Sequence, residues 1–561
     1  MKFTADFETI TDTEDCRVWA TGICNIDDYN FTYGNSIDFF FQHTLSYPNS
    51  YYYFHNLKFD GEFIFVWLFE HGYTWTDKKV PEKGEFNTLI SDVGQFYSIK
   101  IQLDYDNKCV IYDSHKIIPF KVEKVAETFG LEEQKLEIDY TEYREPGHIL
   151  TPTEVEYLKH DVVICAKALH LLFSQNLKKI TQGSNALSDY KKTVGSKNFS
   201  KWFPTLEYNV DKEIRQSYKG GYTYVNPKYQ GKTLSSGIVL DVNSLYPYVM
   251  YSKLLPYGVP KAFKGEYEND KLYPLYVQMI RCQFELKENH IPTIQIKHTH
   301  IFQANEYLTT SGNEEVVLCL TNVDLEIFKE HYDIINPEYL GGWKFKATKG
   351  LFKTYIDKWI NLKIQAEKDG NKGMRQLCKL MLNALYGKFG LNPDVASKIP
   401  KYDAGKIKYK TTPKTTRKGI YIPMASFITA YARQITITSA QSVYDRFIYS
   451  DTDSLHLLGS ELPENLHIDK YELGAWKHES TFTRGKFLRQ KTYIEEIDGE
   501  VKITCAGMSD ACIKYMREEE NLSKDEIWKK FEVGSTFKGK LRPEHVVGGI
   551  VLVPVDFAIK V

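Results

Sequence analysis

Two aspartates at the tip of a predicted β-hairpin constrain this 561-residue chain more than any other feature. They are Asp451 and Asp453 in the segment YSDTDS, residues 449–454, and a β-like run stands on each side of it. Alternating apolar residues before and after a short polar turn are typical of a hairpin. Because Tyr-x-Asp-Thr-Asp is rare by chance, the pattern indicates a functional turn.

A second carboxylate follows another predicted strand. Residues 237–242, GIVLDV, form an apolar run that carries Asp241 near its end, and a turn then leads into a helix around Pro247. Between this run and the hairpin, a predicted helix over residues 374–389 carries polar side chains at steps of three and four. They are Arg375, Lys379, Asn383 and Tyr386, followed by Gly387. Two cations on one helical face suit the binding of a triphosphate.

The N-terminal part contains a separate set of acids. Asp6 and Glu8 alternate in a predicted strand and so share a face, whereas Asp60 precedes a buried helix. Tyr157 and Asp161 are spaced i, i+4, which places them on one helical face. Carboxylates without cysteine suit Mg²⁺ or Mn²⁺. Two such ions can activate water and stabilise the leaving oxygen in phosphodiester hydrolysis.

Charge is divided unevenly along the chain. The net charge is -2, but residues 1–161 carry 29 acids and 14 bases, whereas the remaining 400 residues carry 44 acids and 57 bases. The two parts therefore differ in net charge, -15 against +13, and the basic part is typical of a protein that binds nucleic acid. The length predicts about three or four domains, and the composition excludes collagen-like, disordered and membrane proteins.

The cysteines and the N-terminus indicate a reducing compartment. Nine cysteines without a C-x-x-C pair exclude a disulfide framework and a structural zinc site. No signal peptide or membrane anchor is predicted, and a cytoplasmic location is expected. The chain is predicted to be mixed α/β, with a first domain of about 180 residues that ends near residues 181–196.

A basic segment at residues 392–417 leaves two interpretations open. Alternation in residues 406–410, KIKYK, predicts an exposed hairpin. It is either a solvated charged edge or a strip that contacts a phosphate backbone.

The N-terminal acids resemble the three exonuclease motifs of proofreading DNA polymerases. The resemblance implies that Asp6, Glu8, Asp60 and Asp161 are metal ligands and that Tyr157 orients the attacking water. Lys135 resembles an accessory exonuclease lysine. Further positions that match residues holding single-stranded DNA are Thr9, Asn56, Phe59 and Ser114. His115 stands where the family has leucine.

The later motifs resemble those of family B DNA polymerases, Dx2SLYP, Kx3NSxYG and YxDTDS. The resemblance implies that Asp241, Asp453 and the Val242 carbonyl bind two catalytic Mg²⁺ ions, with Asp451 beside them. Tyr246 would exclude a 2′-hydroxyl; the alternative is a core tyrosine. Residues expected to contact nucleotide or primer are Lys363, Lys379, Asn383, Tyr386, Gly387, Lys491 and Tyr493. Ala384 replaces the serine of the second motif.

Motif spacing is similar to that of the protein-primed branch, as in phi-twenty-nine-like Bacillus phages. The resemblance implies an RNase H-like 3′–5′ exonuclease domain at residues 1–182 and a right-hand polymerase domain at 183–561. Within the polymerase domain, the expected parts are the terminal-protein-binding insertion at about 296–350, fingers at about 351–390, the strand-displacement insertion at about 390–422 and the thumb at about 520–561.

This resemblance implies protein-primed DNA synthesis with strand displacement and proofreading in an infected bacterial host. The expected cofactor is Mg²⁺, which Mn²⁺ can replace. Expected partners are template-primer DNA, dNTPs, a phage terminal protein and single- and double-stranded DNA-binding proteins. The alternatives are an RNA-primed family B polymerase, a nuclease with a vestigial polymerase site and a replication scaffold without chemistry.

Overall fold

A computed structural model describes residues 1–140, 142–296 and 306–560. Its β-strands, in chain order, are β1 (Lys2–Thr9), β2 (Val18–Asn25), β3 (Phe31–Gly34), β4 (Tyr51–Phe54), β5 (Thr74–Trp75), β6 (Glu85–Ile90), β7 (Phe96–Asp104), β8 (Asn107–Asp113), β9 (Thr223–Val225), β10 (Thr233–Leu234), β11 (Gly237–Val242), β12 (Leu255–Phe263), β13 (Leu275–Leu286), β14 (Val316–Thr321), β15 (Tyr332–Thr348), β16 (Asp394–Val395), β17 (Lys398–Asp403), β18 (Lys406–Thr411), β19 (Thr415–Thr416), β20 (Phe447–Asp451), β21 (Ser454–Leu458), β22 (Trp476–Arg489), β23 (Thr492–Ile497), β24 (Glu500–Cys505), β25 (Thr536–Val546) and β26 (Gly549–Ala558).

The α-helices, in chain order, are α1 (Ile37–Ser46), α2 (Leu57–Glu70), α3 (Val122–Phe129), α4 (Pro152–Ser174), α5 (Gln182–Val194), α6 (Ser196–Trp202), α7 (Tyr208–Arg215), α8 (Leu245–Ser252), α9 (Asn322–His331), α10 (Lys353–Lys368), α11 (Lys372–Ala384), α12 (Ile422–Ser442), α13 (Asp510–Glu518) and α14 (Lys524–Lys530). Short 3-10 turns cover Ser114–Lys116, Tyr386–Lys388 and Tyr444–Arg446. Among the described residues, no helix combines the length and apolar character needed to cross a membrane.

The N-terminal sheet has the strand order β3-β2-β1-β4-β8-β7-β6-β5, and β1 pairs in parallel with β4. Alternation along β1 sends Phe3 and Phe7 into the aromatic core under α1 and α2. The other face of β1 meets α4, where the Thr4 hydroxyl donates to the Val162 carbonyl at 2.8 Å. Asp6 and Glu8 lie on this second face, as the alternation predicts.

Residues 181–196 form no extended linker. Thr181 caps α5, and the next helix, α6, begins at Ser196. Tyr190 of α5 is fully buried, and its hydroxyl donates to the Leu351 carbonyl at 2.9 Å. The segment in which the apolar pattern is interrupted therefore forms a packed helix. Its few apolar side chains, such as Ala186 and Tyr190, are buried in the core.

The second large sheet has the order β24-β23-β22-β11-β21-β20-β9, and β10 pairs with β22. The predicted strand and helix at residues 237–247 are β11 and α8, and the predicted hairpin is β20–β21. In register, Asp241 of β11 lies opposite Ser454 of β21, which in turn lies opposite Asp451 of β20. Two strands that are distant in sequence thus bring the three aspartates to one end of the sheet.

A third sheet, β12-β15-β13-β14, lies between α8 and α10 in sequence. The expected insertion at about 296–350 contributes β14 and β15 to it and also contains α9, whereas β12 and β13 come earlier in the chain. Residues 297–305, which include the start of that insertion, lie outside the described residues.

The basic segment contains the predicted hairpin, β17–β18, but one face of it is covered. Ile407 is buried, and the Tyr409 hydroxyl donates to Glu62 of α2 at 2.7 Å. At the tip, the backbone N–H of Gly548, which joins β25 to β26, donates to the Gly405 carbonyl at 3.1 Å. The hairpin therefore contacts both the N-terminal domain and the C-terminal one. Helices α13 and α14 pack with β25–β26 in a separate C-terminal core, and Val561 lies outside the described residues.

Candidate active sites

The N-terminal acids form a compact cluster. Oxygen atoms of Asp6, Glu8 and Asp161 lie within 4.8 Å of one another, a spacing that could hold a metal ion. Strand β1 supplies the first two residues, and α4 supplies the third. Asp60, in the first turn of α2, is buried beside Asp6 and lies outside that set of three. The sequence thus predicted the four acids, and the fold brings them together.

Burial and mutual repulsion disfavour the charged forms of these acids. Burial and the charge of Asp161 raise the pKa of Asp6 to about 7. Burial, followed by the charge of Asp6, raises the pKa of Glu8 and that of Asp60 well above their ordinary values. Oδ1 of Asp161 is buried and has no hydrogen-bond partner. A buried acceptor without a donor and several crowded carboxylates fit a divalent cation.

Lys135 and two tyrosines border the cluster. The Lys135 ammonium pairs with Oδ2 of Asp161, and its Nζ lies 3.4 Å from the Tyr157 hydroxyl. Burial would lower the pKa of Lys135, but Asp161 and Asp6 outweigh it and raise that pKa. The hydroxyls of Tyr157 and Tyr140 are 2.5 Å apart. Burial and neighbouring carboxylates raise the pKa of Tyr157, so its phenol stays protonated and can donate.

Three of the four residues expected to hold single-stranded DNA are at least partly exposed. Thr9 ends β1, Asn56 precedes α2 and is exposed, and Phe59 is half-buried in the first turn of α2. Asn56 has a left-handed backbone, and its N–H donates to Asp113 at 3.1 Å. Ser114 differs from these three, because its side chain is fully buried and its hydroxyl donates to the Phe54 carbonyl at 3.0 Å; its expected contact with DNA stays a prediction.

The hydroxyl of Ser114 also contacts His55, a residue that no sequence motif indicated. Nδ1 of His55 lies 3.0 Å from the Ser114 oxygen, and Nε2 lies 2.6 Å from the Phe120 carbonyl. Burial lowers the pKa of His55 to about 4, so the ring is neutral near pH 7 and has one N–H, which Nε2 donates to the Phe120 carbonyl. Nδ1 then accepts, and it shares the proton of the Ser114 hydroxyl with the Phe54 carbonyl. Ser114 and His55 therefore fix the end of β4 next to Asn56, a structural role that a motif match cannot distinguish from ligand binding.

The second cluster lies at the tip of β20–β21. The Val242 N–H donates to the Asp453 carbonyl at 2.8 Å, which brings the end of β11 against the hairpin turn. Burial and the charge of Asp453 raise the pKa of Asp241 to about 7, and burial also raises the pKa of Asp453. These two carboxylates are crowded and partly buried, as expected for ligands of a cation.

Asp451 has a different environment, because Lys491 pairs with it. Nζ of Lys491 lies 2.8 and 2.6 Å from the two carboxylate oxygens of Asp451. The Lys491 N–H also donates to the Tyr449 hydroxyl at 3.0 Å. The segment 491–493, which ends at Tyr493, therefore packs against the β20–β21 hairpin.

The turn that carries Asp453 is supported by residues from two other elements. The Thr452 N–H donates to the Tyr222 carbonyl, and its carbonyl accepts from the Thr436 hydroxyl, both at 2.6 Å. A Cβ atom on Gly221 would lie 2.6 Å from Oγ1 of Thr452. The second glycine of the segment YKGGY, residues 218–222, is thus required for close approach to the turn.

Arg433, from the segment TAYAR at residues 429–433, holds that glycine loop. Its guanidinium donates to the carbonyls of Lys219 and Gly220, both at 2.8 Å, and pairs with Asp324 of α9. Arg433 is 4% exposed, so the pair is shielded from water. Asp324 was not identified from the sequence because it is more than a hundred residues from its partner.

Helices α10 and α11 place the predicted cations together. Lys363 of α10 is half-buried, and burial together with the charge of Arg375 lowers its pKa. Lys379 and Asn383 are exposed on α11. The predicted helical face is shorter than expected, because α11 ends at Ala384 and Tyr386 and Gly387 lie in the following 3-10 turn. The Tyr386 ring stacks on Tyr246 of α8 with centroids 4.0 Å apart.

Four residues within these motifs have left-handed backbones although they are not glycine. They are Asn56, Ser244, Thr452 and Lys491, with φ of 74°, 54°, 61° and 55°. Side chains with a Cβ atom rarely adopt this conformation, and it costs about 1–2 kcal/mol for each residue. Asn56 and Lys491 are themselves predicted site residues, and Ser244 and Thr452 lie within two positions of one.

Comparison with known proteins assigns the family. Residues 42–470 match the family model described as DNA polymerase type B, organellar and viral. The chain belongs to this family. The DNA polymerases of Bacillus phages M2 and phi29 are 48% and 47% identical to it, and each comparison covers 100% of this chain and 99% of the relative. The DNA polymerase of Streptococcus phage Cp-1 is 31% identical over 100% of this chain and 98% of its own length.

Solved structures of the same family have the same fold. The phi29 DNA polymerase complexed with primer-template DNA has a TM-score of 0.92, 45% identity and 100% coverage of both chains. A ternary complex that adds incoming nucleotides gives the same TM-score at 46% identity. The predicted fold class is confirmed: this type B DNA polymerase is a multidomain α/β and α+β enzyme with exonuclease, palm, fingers and thumb domains.

Proposed function

We propose that this polymerase carries out template-directed DNA synthesis at the Asp241–Asp453 site and 3′–5′ exonucleolytic proofreading at the Asp6 cluster. One observation carries the proposal: two separate groups of partly or fully buried carboxylates, each with raised pKa values, lie on different sheets of one chain. A single hydrolytic or structural role would not require two such groups. The relatives named above, all DNA polymerases, support synthesis as one of the two activities.

The acids at each site suit Mg²⁺, for which Mn²⁺ can substitute. Asp241, Asp453 and the Val242 carbonyl would hold the ions for synthesis, with Asp451 beside them. The ligands at the proofreading site would be Asp6, Glu8, Asp60 and Asp161. Bound ions would polarise phosphate oxygens and stabilise the leaving oxygen.

Cationic and aromatic residues around the first site can position the substrates. Lys379, assisted by Lys363, would bind the triphosphate, and Asn383 and Gly387 would border it. The stacked rings of Tyr246 and Tyr386 form a flat surface beneath the sugar, which would exclude a 2′-hydroxyl. Lys491 and Tyr493 would contact the primer end. Each of these residues would act by positioning the nucleotide or the primer end. Positioning of the reactants and electrostatic stabilisation supply most of the catalysis in phosphoryl transfer.

At the proofreading site, Tyr157 and Lys135 can organise the attacking water. The Tyr157 phenol stays protonated and would donate to that water, while Lys135 holds Asp161 in place. Thr9, Asn56 and Phe59 would hold the frayed 3′ end. Ser114 is the fourth member of this proposed set, and its hydroxyl is buried.

Solved structures of a relative support the proposed substrates. Phi29 DNA polymerase has been solved with primer-template DNA, incoming nucleotides and single-stranded DNA, and we propose the same ligands for this chain. We further propose priming by a phage terminal protein in the cytoplasm of an infected bacterium, strand displacement, and cooperation with single- and double-stranded DNA-binding proteins. The domain limits stated above, 1–182 and 183–561 with its two insertions, are part of this proposal.

A pair of variants tests the two-site proposal. Asp453→Asn should reduce primer extension by at least about a thousandfold and leave degradation of a single-stranded oligonucleotide unchanged. Asp6→Ala combined with Asp60→Ala should have the opposite effect. Loss of both activities in either variant would contradict separate sites, and extension by Asp453→Asn would contradict the catalytic assignment.

Priming requires a separate experiment. The chain is incubated with purified terminal protein, origin DNA, Mg²⁺ and labelled dATP, and label on the terminal protein is measured. Covalent labelling supports protein priming. Extension of an RNA or DNA primer without any labelling would favour an RNA-primed polymerase, whereas degradation alone would favour a nuclease with a vestigial second site.

A further inference from the structure

A polar pair is buried among aromatic rings on the sheet that carries the catalytic hairpin. Nδ1 of His456, on β21, lies 2.8 Å from Oε1 of Glu495, on β23, so the imidazole N–H can donate to the carboxylate. The two residues are 3% and 5% exposed. The rings of Tyr449, Phe487 and Tyr493 surround the imidazole, each with its centroid 5.2–5.3 Å away. Apolar side chains would pack there at lower cost, so the polar pair requires an explanation.

The pair joins two strands that are not neighbours in the sheet. In the order β23-β22-β11-β21, two strands stand between Glu495 and His456. Their ladders are irregular, with register shifts on β22 between Phe487 and Arg489 and on β11 between Val239 and Leu240. Each irregularity bends the strand and weakens the control of distance by backbone hydrogen bonds. A directional side-chain hydrogen bond across the face can fix the distance instead.

Each of these strands leads directly to a part of the synthesis site. Strand β21 begins at Ser454, one residue after Asp453, and β23 begins at Thr492, one residue after Lys491. The turn at Lys491 has a left-handed backbone and contacts the hairpin through Tyr449 and Asp451. The His456–Glu495 hydrogen bond therefore links the strand that follows Asp453 to the strand that follows Lys491, the proposed primer contact.

We propose that His456 and Glu495 are positioning residues that hold the Lys491–Tyr493 turn in alignment with the catalytic hairpin. They touch neither nucleotide nor metal; their effect is to place the primer end against Asp241 and Asp453. The inference rests on the proposed synthesis at that site. It predicts that loss of the pair reduces binding and alignment of the primer end more than it reduces the stability of the folded protein.

Three variants test the inference in the full chain. Glu495→Ala removes the acceptor, and Glu495→Gln keeps an acceptor oxygen of the same reach. Glu496→Ala is the matched control, because successive strand residues face opposite sides and Glu496 pairs instead with Arg484 at 2.5 Å. The measurements are kcat and KM for a template-primer, the ratio of nucleotide removal to incorporation at a paired primer end, and degradation of a single-stranded oligonucleotide.

The expected result is selective. Glu495→Ala should raise KM for the template-primer about tenfold and raise the removal-to-incorporation ratio, with single-stranded degradation within twofold of wild type. Glu495→Gln should restore KM to within about threefold, and Glu496→Ala should match wild type. Normal KM and ratio in Glu495→Ala, or an equal effect of Glu496→Ala, would overturn the inference.

A double variant separates alignment from stability. His456→Leu with Glu495→Leu replaces the pair by apolar packing and should fold, since such replacements are often neutral or stabilising. It should retain single-stranded degradation but show the raised KM. Wild-type extension by this variant, or loss of both activities in Glu495→Ala, would show a purely structural pair. A wild-type chain that extends no primer would instead refute the proposed function, and the inference with it.

Discussion

A buried carboxyl at the junction of three elements predicts a pH-dependent contact. Glu62 of α2 is 1% exposed and accepts the 2.7 Å hydrogen bond from Tyr409 of β18. Nδ1 of His545, on β25, lies 3.5 Å from its second oxygen. Burial raises the pKa of Glu62 to about 8, although the Tyr409 hydroxyl and the charge of Lys58 act in the opposite direction. Burial, followed by the charge of Lys58, also lowers the pKa of His545, which favours the neutral form of its ring.

The sign follows from linkage. A carboxyl whose pKa is higher in the folded protein than in the unfolded chain stabilises the fold in its protonated form, and this stability is lost as pH rises. With a folded pKa of about 8 and an ordinary value of 4.5 for glutamate, the contact of the hairpin weakens progressively above pH 5. Between pH 6 and pH 8 the expected loss is on the order of 2 kcal/mol, or about thirtyfold in the opening equilibrium.

Hydrogen exchange of the β18 amides in wild type and in Glu62→Gln measures this loss. The glutamine keeps the acceptor for Tyr409 but does not titrate, so the ratio of the two exchange rates should change about thirtyfold from pH 6 to pH 8. Glu70→Gln is the matched control, because Glu70 accepts a 2.7 Å hydrogen bond from Tyr402 of the same hairpin but is exposed. A ratio independent of pH for Glu62→Gln, or an equal trend for Glu70→Gln, would refute the reasoning.

Four further predictions use other features. Gly221→Ala should reduce primer extension at least about tenfold and spare single-stranded degradation, because its Cβ would displace Thr452. Ser114→Ala should cost about 1–3 kcal/mol of stability in thermal unfolding. Lys491→Ala should lower affinity for the primer end in a binding assay, whereas Lys491→Arg should retain most of it. Affinity for template-primer DNA should fall at least about tenfold between 50 and 200 mM salt, and a flat response would contradict phosphate binding.

Local patterns predicted the elements that carry the acids. Period two in β1, the apolar run that ends near Asp241 and the i, i+4 spacing of Tyr157 and Asp161 each placed a side chain on the correct face. These predictions succeeded because hydrophobic periodicity determines which face of an element is buried. The distance between Asp241 and Asp453 could be inferred only from the family resemblance, since strand order does not follow from local pattern.

Contacts between segments that are distant in sequence could not be predicted from local patterns. Ser114 matched a DNA-binding position but is buried, because whether a hydroxyl at a strand end faces solvent depends on what packs over it. The Arg433–Asp324 and His456–Glu495 pairs join residues that no periodicity relates. Residues 181–196 lacked a clear apolar period but form α5, because tertiary contacts through Tyr190 outweigh weak local preference.

The left-handed residues within the motifs limit where this protein can gain thermal stability. Glycine at Ser244, Thr452 or Lys491 would relieve backbone strain in the folded state, yet it would also increase the freedom of the turns that carry the proposed catalytic groups. Stabilising substitutions found by selection for heat resistance should therefore accumulate away from these turns. At these positions higher thermal stability would disturb the geometry of the proposed active site. Relief of the backbone strain without that effect would require different motif sequences.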